Sequence, residues 1–113
     1  MSQYFKRKEF TCRCGCGFDT VDFELVEILE KVREHFDKPV TINSGCRCDT
    51  YNTVVGGKPG SQHRNGRAAD IVVKDIDPSL VYELVDNLGV GGLGKYKSFT
   101  HIDTRSGHAR WGG

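Results

Sequence analysis

No long apolar run occurs in this sequence and neither sign of charge dominates it: 16 Lys and Arg stand against 15 Asp and Glu, a formal net charge of +1. Without a positive surplus there is no electrostatic case for a nucleic-acid partner. Without a sustained apolar stretch there is none for membrane insertion. The opening residues, Met1-Ser-Gln-Tyr-Phe-Lys-Arg-Lys-Glu-Phe10, carry charge but no apolar h-region, so no signal peptide is expected and synthesis is expected in the cytoplasm. Repeats, low-complexity tracts and linkers are also missing, which leaves the 113 residues as one expected domain, 1–113, with a modest core.

What the chain does have is the segment Ser61-Gln62-His63-Arg64-Asn65-Gly66-Arg67-Ala68-Ala69-Asp70, which reads S-x-H-x-x-G-x-A-x-D. The β-branched run Ile71, Val72, Val73 follows, so Asp70 is expected to open a buried strand and His63 to sit on the loop before it. Burying an ionised carboxylate costs several kcal/mol unless a cation or a full set of hydrogen bonds compensates. Zinc shared between Asp70 and His63 would meet that need.

Five cysteines form two groups, Cys12, Cys14 and Cys16, then Cys46 and Cys48. Neighbours two apart rarely suit a disulfide, and a reducing cytosol disfavours a bridge between the groups. If Arg47 points one way from an extended segment, Cys46 and Cys48 point the other, where the first group could meet them around a second, structural zinc. Free thiols packed as small hydrophobes are the equal alternative, since these spacings are not the usual C-x-x-C knuckle.

Apolar Val21, Leu25, Ile28, Leu29, Val32 and Phe36 predict a helix over 19–37, with Asp19 as N-cap and Pro39 beyond its end. Val40-Thr41-Ile42 reads as a strand, 49–55 as a short helix stopped by Gly56-Gly57, and 69–73 as a strand. Asp77-Pro78 starts another helix with Leu80, Leu84, Val85 and Leu88 on one face and Gly89 at its end. Gly91-Gly92-Leu93-Gly94 reads as a turn into Lys95-Tyr96, which pairs with a last strand over 99–104. The expected architecture is α+β, a small antiparallel sheet flanked by helices. On the last strand Phe99, His101 and Asp103 share a face. A catalytic zinc takes three protein ligands and leaves a fourth position open, and His101 would complete the set begun by His63 and Asp70. His35 and His108 read as surface residues.

Together with Ser44-Gly45-Cys46-Arg47, Asn52 and Phe99-Thr100-His101-Ile102-Asp103, the S-x-H-x-x-G-x-A-x-D block resembles the zinc D-alanyl-D-alanine carboxypeptidases, peptidase family M15, over nearly the whole chain. The nearest likeness is to short phage and prophage members, in which Gly91-Gly92-Leu93-Gly94-Lys95-Tyr96 and Ala109-Arg110-Trp111 have counterparts. The resemblance implies a hedgehog/DD-peptidase-like fold and zinc-dependent hydrolysis of peptidoglycan stem peptides by an expected monomer. Metal ligands would be His63, Asp70 and His101. Arg47 would stabilise the oxyanion, while Ser61, Gln62, Asn52 and Tyr96 would line the substrate cleft. Larger members carry an acidic base three residues before the last histidine, where this chain has Ser98. Asp103 is the substitute by proximity. Aligned instead to relatives with an H-x-H pair, Asp103 becomes the ligand and His101 the base, and both assignments stand open at this point.

Carboxypeptidase action on D-Ala-D-Ala and endopeptidase action on L-Ala-D-Glu are equally compatible with these residues. A phage-type lysis role would place the enzyme at the cell wall or periplasm after release from the cytoplasm. The alternative is a non-catalytic zinc-containing binding module of the hedgehog-like fold, which has no need of Arg47 beside an open metal position or of a nearby base.

Overall fold

Apolar side chains at helical spacing follow Asp22, and there the chain winds into α1 (Phe23–Phe36), burying Leu25, Val26, Leu29 and Val32 on one stripe. The structure, a computed structural model, describes residues 3–58 and 60–112. Removing each of those side chains from water contributes about 1.5–3 kcal/mol. α1 begins three residues later than its periodicity predicts, with Asp22 rather than Asp19 at the N-cap. Tertiary contacts claim the preceding segment: the Asp22 amide donates to Gly66 O at 2.8 Å, and its carboxylate accepts from Thr104 Oγ1 at 2.8 Å instead of capping the helix.

Two further helices follow, α2 (Asp49–Val54) and α3 (Pro78–Asn87). Asp77 caps α3 by accepting from the Ser79 amide, with Pro78 in the first turn. Among the described residues, no helix is long and apolar enough to cross a membrane.

Five strands, β1 (Val40–Ser44), β2 (Ala68–Val73), β3 (Gly92–Lys95), β4 (Thr100–Asp103) and β5 (Ala109–Gly112), form one sheet in the order β1-β2-β4-β3-β5. The fold is α+β, and the ladders joining β1 to β2, β2 to β4 and β4 to β3 are antiparallel as expected. The sheet as a whole is mixed, because β5 pairs with β3 in parallel. Its four residues carry little periodic signal. Distant groups hold them: the Ala109 amide donates to Gly91 O at 2.8 Å, and Arg110 reaches Val90 O at 2.8 Å and Asp86 Oδ1 at 2.7 Å.

Strand alternation divides the sheet into two faces. Ile42, Ala69, Ile71, Leu93 and Ile102 enter the core with Leu29, Val81 and Val85 of the helices. Asp70, His101 and Asp103 occupy the other face, with Asp70 directly opposite His101 and Gly94 opposite His101 on the far side.

Candidate metal centre

Pairing of β2 with β4 sets Asp70 against His101, and the Asp70 Oδ1 lies 2.9 Å from His101 Nδ1. His63 comes from a 3-10 turn, Gln62–Asn65, that is started by Ser61 Oγ accepting from the His63 amide and closed by Gly66 in the left-handed region. This brings His63 Nε2 within 3.3 Å of the same Asp70 oxygen. All three side chains are buried.

Outer partners orient both rings. His63 Nδ1 lies 2.6 Å from Gly45 O, a group that only accepts, so the proton belongs on Nδ1 and the Nε2 lone pair faces Asp70. His101 Nε2 donates to Asp103 Oδ2 at 2.8 Å and turns Nδ1 toward Asp70. The ligand atoms of His63, Asp70 and His101 lie within 4.8 Å of one another. One zinc ion with bonds of about 2.0–2.2 Å spans such a set, and the outer carbonyl and carboxylate are the supports that metal-bound imidazoles use. The residues therefore fit the metal.

Burial disfavours the charged form of Asp70, yet its close contacts with His101 and His63 outweigh it and hold the carboxyl well below the usual carboxylate range. Burial also works against a charged His101, whose contacts with Asp103 and Asp70 nevertheless raise it above the ordinary histidine value. Asp103, opposed by burial in the same way, is kept low by His101 and Arg105.

Asp103 meets His101 at Nε2, whereas Asp70 meets the same ring at Nδ1. The Asp103 side chain is fully buried behind His101, and its oxygens accept from Arg105 Nε at 2.8 Å, Arg105 Nη2 at 2.7 Å and the Arg105 amide at 3.1 Å. Sharing a strand face with His101 put it next to the ring, but on the side away from Asp70. Arg105 escaped the sequence reading, although D-x-R at a strand end was its available signal.

Arg47 is held at three points: Nε donates to Ser44 Oγ at 3.3 Å, Nη1 donates to Asn52 Oδ1 at 3.3 Å, and Nη2 lies 3.6 Å from Asp70 Oδ2. Asn52 is buried and also donates to Lys58 O at 2.9 Å, so it supports the guanidinium from below. Ser61 serves as the cap of the turn carrying His63. Gln62 Oε1 is a buried acceptor with no partner among the described residues. The Tyr96 hydroxyl accepts from Trp111 Nε1 at 2.9 Å, and the Trp111 ring lies 5.2 Å from that of His101. His35 and His108 are exposed, as expected.

From Gly92 onward the Gly91-Gly92-Leu93-Gly94 run is strand β3 rather than a turn, and its glycines leave room for neighbouring side chains. A Cβ on Gly92 would lie 2.2–2.4 Å from the Asp103 carboxylate, and one on Gly94 would lie 2.3 Å from Trp111 Nε1. The missing side chains admit the groups that back His101. Gly92→Ala is expected to cost about 1–3 kcal/mol by overpacking, read as a lower denaturant midpoint, whereas an unchanged midpoint would show that Asp103 is free to move.

A cleft of about 270 Å³ opens beside Arg47, lined by Phe18, Arg47, Cys48, Asp49 and Arg64. Arg64 pairs with Asp49 at 2.8 Å on its wall. A larger hollow, lined by Arg7, Val21, Phe23 and Val26, shares none of the site residues.

A buried carboxylate between two oriented imidazoles, with a fixed guanidinium alongside, is a set of side chains on one face of the sheet that could hold a metal ion. A family model described as Peptidase M15 matches residues 3–103, and the chain belongs to that family. Over 35 residues it is 51% identical to the zinc D-Ala-D-Ala carboxypeptidase of Streptomyces albus G, a match covering 31% of this chain and 14% of that relative.

Proposed function

We propose that this chain is a zinc-dependent peptidase acting on peptidoglycan stem peptides. The convergence of His63, Asp70 and His101 on one point, with the Arg47 guanidinium 3.6 Å from Asp70 Oδ2, carries the reading. Family membership and the name of the Streptomyces relative support it.

His63, Asp70 and His101 would hold the zinc, which when bound supplies Lewis acidity to a peptide carbonyl and to water. Arg47 is fixed before substrate arrives, so its donors meet the developing oxyanion without reorganisation. Asn52 and Ser44 keep the guanidinium in place. Stem peptides are anionic, and the Arg47 guanidinium on the wall of the cleft complements them. Asp103 acts through His101 as a positioning residue.

Digestion of defined muropeptides, followed by mass spectrometry, tests the proposal: loss of a terminal D-Ala marks carboxypeptidase action, and cleavage between L-Ala and D-Glu marks endopeptidase action. No cleavage by the zinc-loaded chain would overturn it. In the same assay Arg47→Ala is expected to lower kcat/KM about 10²–10³-fold with zinc retained. Arg47→Lys should restore only part of this, because an ammonium cannot reproduce the forked geometry.

A further inference from the structure

One other set of metal-ligating side chains comes together among the described residues. The sulfurs of Cys12, Cys14, Cys16 and Cys48 lie within 4.8 Å of one another. Cys12 Sγ is 3.5 Å from Cys14 Sγ and 3.8 Å from Cys48 Sγ, and the last two are 3.7 Å apart. Four thiolates bound tetrahedrally at about 2.3 Å place neighbouring sulfurs roughly 3.8 Å apart. A disulfide needs about 2.05 Å between two sulfurs and leaves the other two thiols out.

We propose that Cys12, Cys14, Cys16 and Cys48 form a second, structural zinc site, in which each thiol gives its proton to solvent and the four sulfurs close a tetrahedral shell around one zinc ion. The backbone is shaped for it. Gly15 and Gly17, at φ 86° and 88°, turn the chain so that alternate cysteines face one point. The Cys48 amide donates to Cys12 Sγ and the Tyr51 amide to Cys48 Sγ, both at 3.4 Å, so backbone contacts fix both sulfurs in place.

The odd cysteine is also accounted for. Cys46, expected to face the cluster together with Cys48, is buried apart from it with its thiol directed at Phe18 O, 2.9 Å away, and Phe10 O, 3.1 Å away. The segment is not an extended strand: Cys48 turns away as the N-cap of α2. The site would tie the N-terminal arm to the loop between β1 and α2. That loop supplies the Gly45 carbonyl behind His63, Arg47 itself and the start of the helix bearing Asn52.

The site stands independently of the proposed peptidase activity. Chain purified under reducing conditions with zinc is expected to contain about two zinc ions, the Cys14→Ser/Cys16→Ser protein about one, and Cys46→Ser about two. Asp70→Ala protein should keep one zinc whose X-ray absorption shows an all-sulfur shell at about 2.3 Å. That shell would be found even if no peptide were ever cut. In cobalt-substituted wild-type protein, sulfur-to-metal charge-transfer bands are expected, which decides the matter if the double variant fails to fold. Absence of sulfur from the metal's shell, iron in place of zinc, or unchanged metal content in a folded double variant would overturn the proposal.

Discussion

Asp70→Ala is expected to lose the zinc held by His63 and His101 and to lower hydrolysis of stem peptides by more than about 10³-fold. Removing a single oxyanion donor already costs about 10²–10³-fold. The metal is asked to activate water and carbonyl together, so its loss exceeds that. Asp70 is the decisive member because its Oδ1 is the common point of both imidazole contacts, at 2.9 and 3.3 Å, while its Oδ2 faces Arg47. The substitution therefore removes a ligand, the anion between two buried rings and a restraint on the guanidinium. Asp70→Asn is the sharper form, since it preserves volume and one oxygen but neutralises the ligand. Metal analysis with kcat/KM on muropeptides checks both variants. Full activity in either, with the metal gone, would remove the basis for a zinc peptidase. Protein that keeps its cysteine-bound zinc yet loses hydrolysis separates the two sites cleanly.

The site's legibility in the sequence differs from one part to the next. His63 and Asp70 were readable because their spacing is local, a turn feeding a strand, and His101 because strand alternation put it on a polar face. α1 and α3 were readable from their apolar stripes. Contacts made at long range account for what was missed. The start of α1 depends on Gly66 and Thr104. β3 hides in a glycine run whose purpose is to admit Asp103 and Trp111. β5 exists because Arg110 and Ala109 find partners near residues 86–91. Separation of Cys46 from Cys48 follows from a helix cap that no two-residue alternation could foresee. For the last strand, the pairing of β2 with β4 faces His101 rather than Asp103 toward Asp70, which favours His101 as the third ligand.

That geometry sets the expected outcome for Asp103→Asn. Were Asp103 the general base, the variant would bind zinc normally and lose turnover. Its carboxylate instead lies on the far side of the His101 ring from Asp70, fully buried, with Arg105 on both oxygens. An outer carboxylate that orients a liganding imidazole is worth about 10–100-fold in metal affinity. Asp103→Asn is therefore expected to weaken zinc binding by about that factor and to regain most of its kcat when zinc is raised to saturation. Arg105→Gln should shift zinc affinity in the same direction by less, because it loosens the carboxylate without neutralising it. Zinc titration by competition with a chelating dye, paired with kcat at saturating zinc, distinguishes the cases. A kcat that stays low at full occupancy would return Asp103 to the role of base, and with it require His101 to move aside, since the ring now stands between that carboxylate and Asp70.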